Sequence, residues 1–150
     1  VFIRTWYFGF SLIFASLAAQ ASEVTSSPNP RGQRDVLKDK LVGIYTTYQL
    51  RETFIKGCNR LENSISTDVE TAFDDYAVVA KDYILEGKRL LNEELSAVDV
   101  IEWKTLLAEA GKHYKQKFTQ LPVTELQQEC QQLAREMTTI NKQVIALKSQ

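Results

Sequence analysis

The side chains with most chemical potential lie in the segment YTTYQLR, where Arg51 follows Tyr45 and Tyr48. Arg51 occupies a position that the surrounding pattern assigns to an apolar residue. A buried guanidinium must be paired, because an uncompensated charge costs several kcal/mol. Two readings follow. Arg51 grips an anionic ligand in a polar slot, with the Tyr45 and Tyr48 hydroxyls as partners. Or it pairs with Glu136 and lays its stem across apolar surface.

His113 and Met137, one histidine and one methionine in the chain, invite a test for haem ligation. The helices that carry them turn around near Gln120, so the two residues stand at unequal distances from that turn. The mismatch of nine residues is roughly 13 Å along the helix axis, too much for two ligands of one iron. C-x-x-C-H and the Glu-x-x-His pairs of a di-iron bundle are both missing from the sequence. Glu109 and His113 share a helix face but make only half a metal site. H-E-x-x-H, G-x-S-x-G and a P-loop are likewise absent. The expectation is a non-catalytic protein with neither metal nor cofactor.

Cys58 and Cys130 are the two cysteines, in IKGCNR and QQECQQ. Without C-x-x-C, and with one histidine, they suit neither redox catalysis nor zinc, which leaves a structural disulfide formed in an oxidising compartment. The N-terminus agrees with export. Arg4 is followed by an apolar run from Trp6 to Leu17 and then by Ala19-Gln20-Ala21, the pattern of a cleaved signal peptide over residues 1–21. That run is shorter than the roughly 20 apolar residues of a bilayer span. Cleavage leaves 17 basic and 19 acidic side chains, a balance that does not suit nucleic acid. The expected home is the periplasm or the extracellular space, with no membrane anchor after cleavage.

Positioning these residues falls to helices. Residues 22–34 read as a flexible polar leader, and residues 35–150 as one helical domain. Four apolar stripes at spacings of three and four follow. The first holds Leu37, Leu41, Ile44, Tyr48, Ile55 and Cys58. The second, opened by a capping box at Thr67–Glu70, holds Val69, Phe73, Tyr76, Ala80, Tyr83 and Gly87, with a bend or end expected at Gly87. The third, capped at Ser96, holds Val100, Trp103, Leu107, Ala110, Tyr114 and Phe118 and ends before Pro122. The fourth holds Leu126, Cys130, Leu133, Met137, Ile140, Val144 and Leu147.

Short loops between four such helices predict an all-α, antiparallel up-down-up-down four-helix bundle. In it the first and last helices are neighbours, and a Cys58–Cys130 bridge sets a register that places Arg51 level with Met137 and beside Glu136. Asp68, Glu70, Asp74 and Asp75 crowd one helix start. Lys112, Lys115 and Lys117 crowd one helix end, each sign matching its helix dipole. Gln127, Gln128, Gln131 and Gln132 form an uncharged polar band. The function expected from these features is an exported interaction protein that binds another envelope or secreted protein, of the adaptor, inhibitor or immunity kind. The alternative is a carrier of a small apolar or anionic ligand around Arg51 and the tyrosines. Homodimerisation is left open.

Overall fold

The structure, a computed structural model, describes residues 30–148. The expected signal peptide and residues 22–29 of the leader lie outside the described residues. Five helices and no strand are found among those described: α1 (Pro30–Cys58), α2 (Ser64–Val79), α3 (Lys81–Glu93), α4 (Ala97–Gln120) and α5 (Val123–Lys148), with a 3-10 turn at Asn59–Leu61 after α1. Chain proximity divides the molecule between Gln33 and Arg34, and Arg34–Gln150 forms the unit described below. No helix among the described residues is long and apolar enough to cross a membrane.

Local chemistry explains most boundaries. Pro30 opens α1, where its missing N–H would be unpaired anyway, so the helix starts five residues before the expected Asp35. Glu62 stops it by adopting the left-handed region (φ 49°, ψ 37°). Asn63, in extended backbone, then caps α2, its side-chain oxygen accepting from the Ile65 N–H at 3.0 Å. The capping box expected at Thr67–Glu70 is therefore not the start of the helix; Thr67 already lies within α2. Ser96 caps α4 as expected, its hydroxyl oxygen accepting from the Asp99 N–H at 3.2 Å.

The second stripe is two helices where one was expected. The break falls at Ala80 (φ −92°, ψ 6°), just after the β-branched pair Val78 and Val79. Helical bonding crosses it: the Ala80 N–H donates to the Tyr76 carbonyl and the Ile84 N–H to the Ala80 carbonyl, each at 2.9 Å. Gly87, where a bend was expected, sits inside α3 and is buried.

Gly87 owes its place to a close approach. A Cβ there would fall inside the contact distance of the Leu41 carbonyl oxygen of α1 and lie 2.9 Å from the Tyr45 Cβ. Nearby, the Tyr76 hydroxyl donates to the Ile44 carbonyl at 3.0 Å, and Lys38 pairs with Glu94 at 2.8 Å. Residue numbers rise along α2 and α3 as they fall along α1, so these elements run in opposite directions.

The core follows the fourth stripe closely. Leu126, Cys130, Leu133, Met137, Ile140 and Val144 are all buried. The disulfide forms, with Cys58 and Cys130 Cα atoms 5.9 Å apart, and joins the end of α1 to α5. Closing a loop of this length stabilises the fold by roughly 4 kcal/mol on a chain-entropy model. From α5 the Asn141 amide also donates to the Ala72 carbonyl of α2 at 2.9 Å, a polar tie inside the core.

On α1 the core face is turned from the expected stripe. Phe54 is 1% exposed and Thr47 is buried, while Leu41, Ile44, Tyr48 and Ile55 are half-buried and Leu37 is exposed. On α4 only Phe118 is fully buried, so this helix lies over the others with its inner edge alone covered.

These contacts separate two glycines. A methyl group at Gly87 meets backbone, which cannot move aside, whereas one at Gly57 meets Phe118 ring and Cβ atoms at 2.6–2.9 Å. Gly87→Ala is expected to lower stability by about 3 kcal/mol. Gly57→Ala should cost less, because the Phe118 side chain has some freedom to shift. Chemical denaturation of the two variants checks the order.

Candidate functional site

Of the residues first considered for a ligand slot, Arg51 and Tyr48 come together, while Tyr45 and Glu136 meet other partners. Tyr45 stacks on Trp103 of α4, with ring centroids 5.7 Å apart. The Trp103 indole N–H donates to Thr46 at 2.9 Å, and the Thr46 hydroxyl donates to the Val42 carbonyl at 2.8 Å. Tyr45 thus belongs to the α1–α4 seam. The Arg51 guanidinium lies over the Tyr48 ring, 4.5 Å from its centroid, and meets Glu52 at 3.6 Å. Its side chain is 29% exposed, which keeps the guanidinium within a cation–π contact without burying the charge.

Glu136 accepts instead from Gln132 at 2.8 Å, and no ion pair joins it to Arg51 among the described residues. Glu136 and Glu129 add to burial in raising the Tyr114 phenol above its ordinary value, with burial the larger cause. The fully buried phenol of Tyr76 is raised much further by burial, although a hydrogen bond with Thr47 opposes the shift.

The charge pattern is also redistributed. Lys117 pairs with Glu129 of α5 at 2.7 Å. At the other end of the domain Arg89 binds Glu86, Glu93 and Glu94. Its hydrogen bonds hold the Glu86 carboxyl below the usual range. The Glu94 carboxyl is lowered first by Lys38 and then by Arg89. His113 is exposed on α4 with its ring edge-on to Tyr114, while Met137 is buried in α5. No group of three or more metal-ligating side chains is brought together among the described residues.

A feature missed in the sequence lies along the C-terminal halves of α1 and α4. Gly57 lets the two helices close onto Phe118. The rings of Phe54, Tyr114 and Phe118 cluster there, Phe54–Tyr114 at 4.8 Å and Phe54–Phe118 at 6.0 Å.

Arg60, just past the end of α1, donates to the Phe118 carbonyl. That carbonyl would ordinarily accept from the residue four positions on, which is Pro122 and has no N–H. Arg60 supplies the missing donor.

Above this seam are two adjoining surface grooves. One, of about 350 Å³, is lined by Thr53, Lys56, Gly57, Arg60, Lys115 and Thr119. The other, of about 320 Å³, is lined by Lys112, Lys115, Gln116, Thr119 and Gln120. They share Lys115 and Thr119. Neither lining contains a carboxylate, although Glu52 stands 3.8 Å from Lys56 at the margin. Neither includes Arg51, Tyr45, Tyr48 or Glu136. The lysines were visible in the sequence as a cluster, but their approach to Lys56 and Arg60 depends on the α1–α4 contact.

Comparison with known proteins adds little constraint. No family model matches the chain, and no solved structure matches it. It is similar to a homoserine O-acetyltransferase of Methanococcoides burtonii, 36% identical over 67 residues, which is 45% of this chain. The matched part spans only 13% of that protein's length.

Arg60 offers a direct test of the seam. Arg60→Met keeps a similar stem but removes the donor, leaving the Phe118 carbonyl without its partner. Stability should fall by about 1–2 kcal/mol, and amide exchange should quicken first in the last turn of α4. Thermal melting and hydrogen exchange measure the two effects.

Proposed function

We propose that this chain is an exported, non-catalytic interaction protein of the periplasm or extracellular space that binds another protein through its surface. The observation that carries this reading is a pair of concave surfaces on the exterior of the domain. The two grooves open on the outside of the α1–α4 seam and are lined by lysine, arginine, threonine and glutamine. Inside the domain, by contrast, Tyr76 donates to Ile44 of α1, Asn141 donates to Ala72 of α2, and Thr47 donates back to Gly43 of its own helix. That leaves the Asn141 Oδ1 as the buried side-chain polar atom without a partner among the described residues. The bridge between Cys58 and Cys130 favours an oxidising compartment.

The contact directions support an up-down-up-down bundle in which α2 and α3 together fill the second position. Acetyl transfer, the activity named for the similar archaeal protein, would call for a nucleophile beside a base. His113 is the one histidine in the chain and sits edge-on to a tyrosine, and both cysteines are consumed in the bridge. A non-catalytic role fits these placements better.

The test uses the oxidised, full chain. Cross-linking in an envelope or secreted-protein extract should capture a protein whose recovery is saturable and is competed away by free chain. Arg51→Leu should leave that recovery unchanged. Native mass spectrometry of the purified chain should show the chain mass alone. A co-purifying small molecule lost on Arg51→Leu, with no competable protein partner, would overturn the interaction reading in favour of a ligand carrier.

A further inference from the structure

We propose that the paired grooves along α1 and α4 are a docking site for an acidic segment of a partner protein. This inference rests on the interaction reading above and gives that surface a chemistry. Lys56, Arg60, Lys112 and Lys115 contribute four positive charges to the two linings, in a chain whose formal net charge is −1. The basic character is therefore local to this surface.

Helix dipoles account for only part of it. Their pull on cations fades beyond the last turn. Lys56 lies in the last turn of α1, and Lys117 in that of α4 is already paired with Glu129. Lys112 and Lys115 sit earlier on α4, where the dipole alone no longer calls for them. Arg60 is held in place by the Phe118 carbonyl, and a guanidinium carries five N–H donors, of which that bond uses one. It can meet a carboxylate with little further loss of freedom. Thr53 adds a hydroxyl that can donate to the same oxygens, while the Thr119 hydroxyl already donates to the Lys115 carbonyl at 2.7 Å.

Size and surroundings favour a peptide over nucleic acid. The grooves accommodate a few side chains rather than a long backbone. Asp68, Glu70, Asp74 and Asp75 are exposed on α2, which begins just after the chain leaves Arg60, and would repel an extended run of phosphates. A short segment with two or three carboxylates, seated across Lys115, suits both conditions.

The experiment uses fluorescence anisotropy on the oxidised full chain. The probes are a labelled peptide of alternating glutamate and serine, the same peptide with glutamine for glutamate, and oligothymidylate of matched charge. The glutamate peptide should bind, more weakly as salt rises, while the glutamine peptide does not. Lys56→Glu with Lys115→Glu should weaken binding by about tenfold or more, with circular dichroism confirming the fold. Lys104→Glu, an exposed change elsewhere on α4, should leave binding unchanged.

No binding of the glutamate peptide would overturn the proposal. So would equal loss from Lys104→Glu, or oligothymidylate binding as tightly as the peptide. Any of these results leaves the competable cross-linked partner to be judged separately, so the two readings fail independently.

Discussion

The last turn of α1 and the residues just beyond it are where the separate helices become one structure. Within seven positions the chain presents Phe54, Gly57, Cys58 and Arg60 to different neighbours. Phe54 stacks on Phe73 of α2, with centroids 5.7 Å apart, and touches the rings of α4. Gly57 admits Phe118, Cys58 bonds covalently to α5, and Arg60 completes the end of α4. The ties are of different kinds: dispersion and burial, close backbone approach, a covalent bond and a charge-assisted hydrogen bond. Away from this node α1 meets α3 closely at Gly87, but most of its apolar side chains are only half-buried.

The same node shapes the surface. Because α1 and α4 close together over Phe118, Lys56 and Arg60 from one helix end come beside Lys115 from the other. Like charges repel when brought together, so such a convergence costs something unless solvent or a counter-charge answers it. Lys117 and Glu129 answer locally on the α5 side, and Glu52 does so at the margin of Lys56. The groove itself is lined without carboxylates, and that gives the proposed acidic partner its physical basis.

Much of this was legible in the sequence where a single constraint dominates. The α5 stripe is covered from Leu126 to Val144, where every member is buried, so its period shows without distortion. The disulfide was legible because two cysteines and the helix order leave one pairing. Where neighbours compete, reading failed. Phe54 was left off the α1 stripe because Tyr48, Ile55 and Arg51 mark a face slightly to one side. The true face is chosen by the aromatic rings of Phe73, Tyr114 and Phe118, which are remote in sequence.

Gly87 illustrates a different difficulty. Its low helix propensity suggested a bend, yet tertiary packing uses the missing side chain to bring two helices together, and the break falls at Ala80. Arg60 was invisible for a related reason: its role arises from Pro122, more than sixty positions away. Whether the node governs the fold can be measured by native-state hydrogen exchange on the oxidised protein and on Cys58→Ala with Cys130→Ala. If it does, loss of the bridge should speed exchange most in the last turns of α1 and α4 and the first turns of α5, while α3 around Gly87 changes least. Uniform acceleration across all five helices, or acceleration centred on α3, would contradict it.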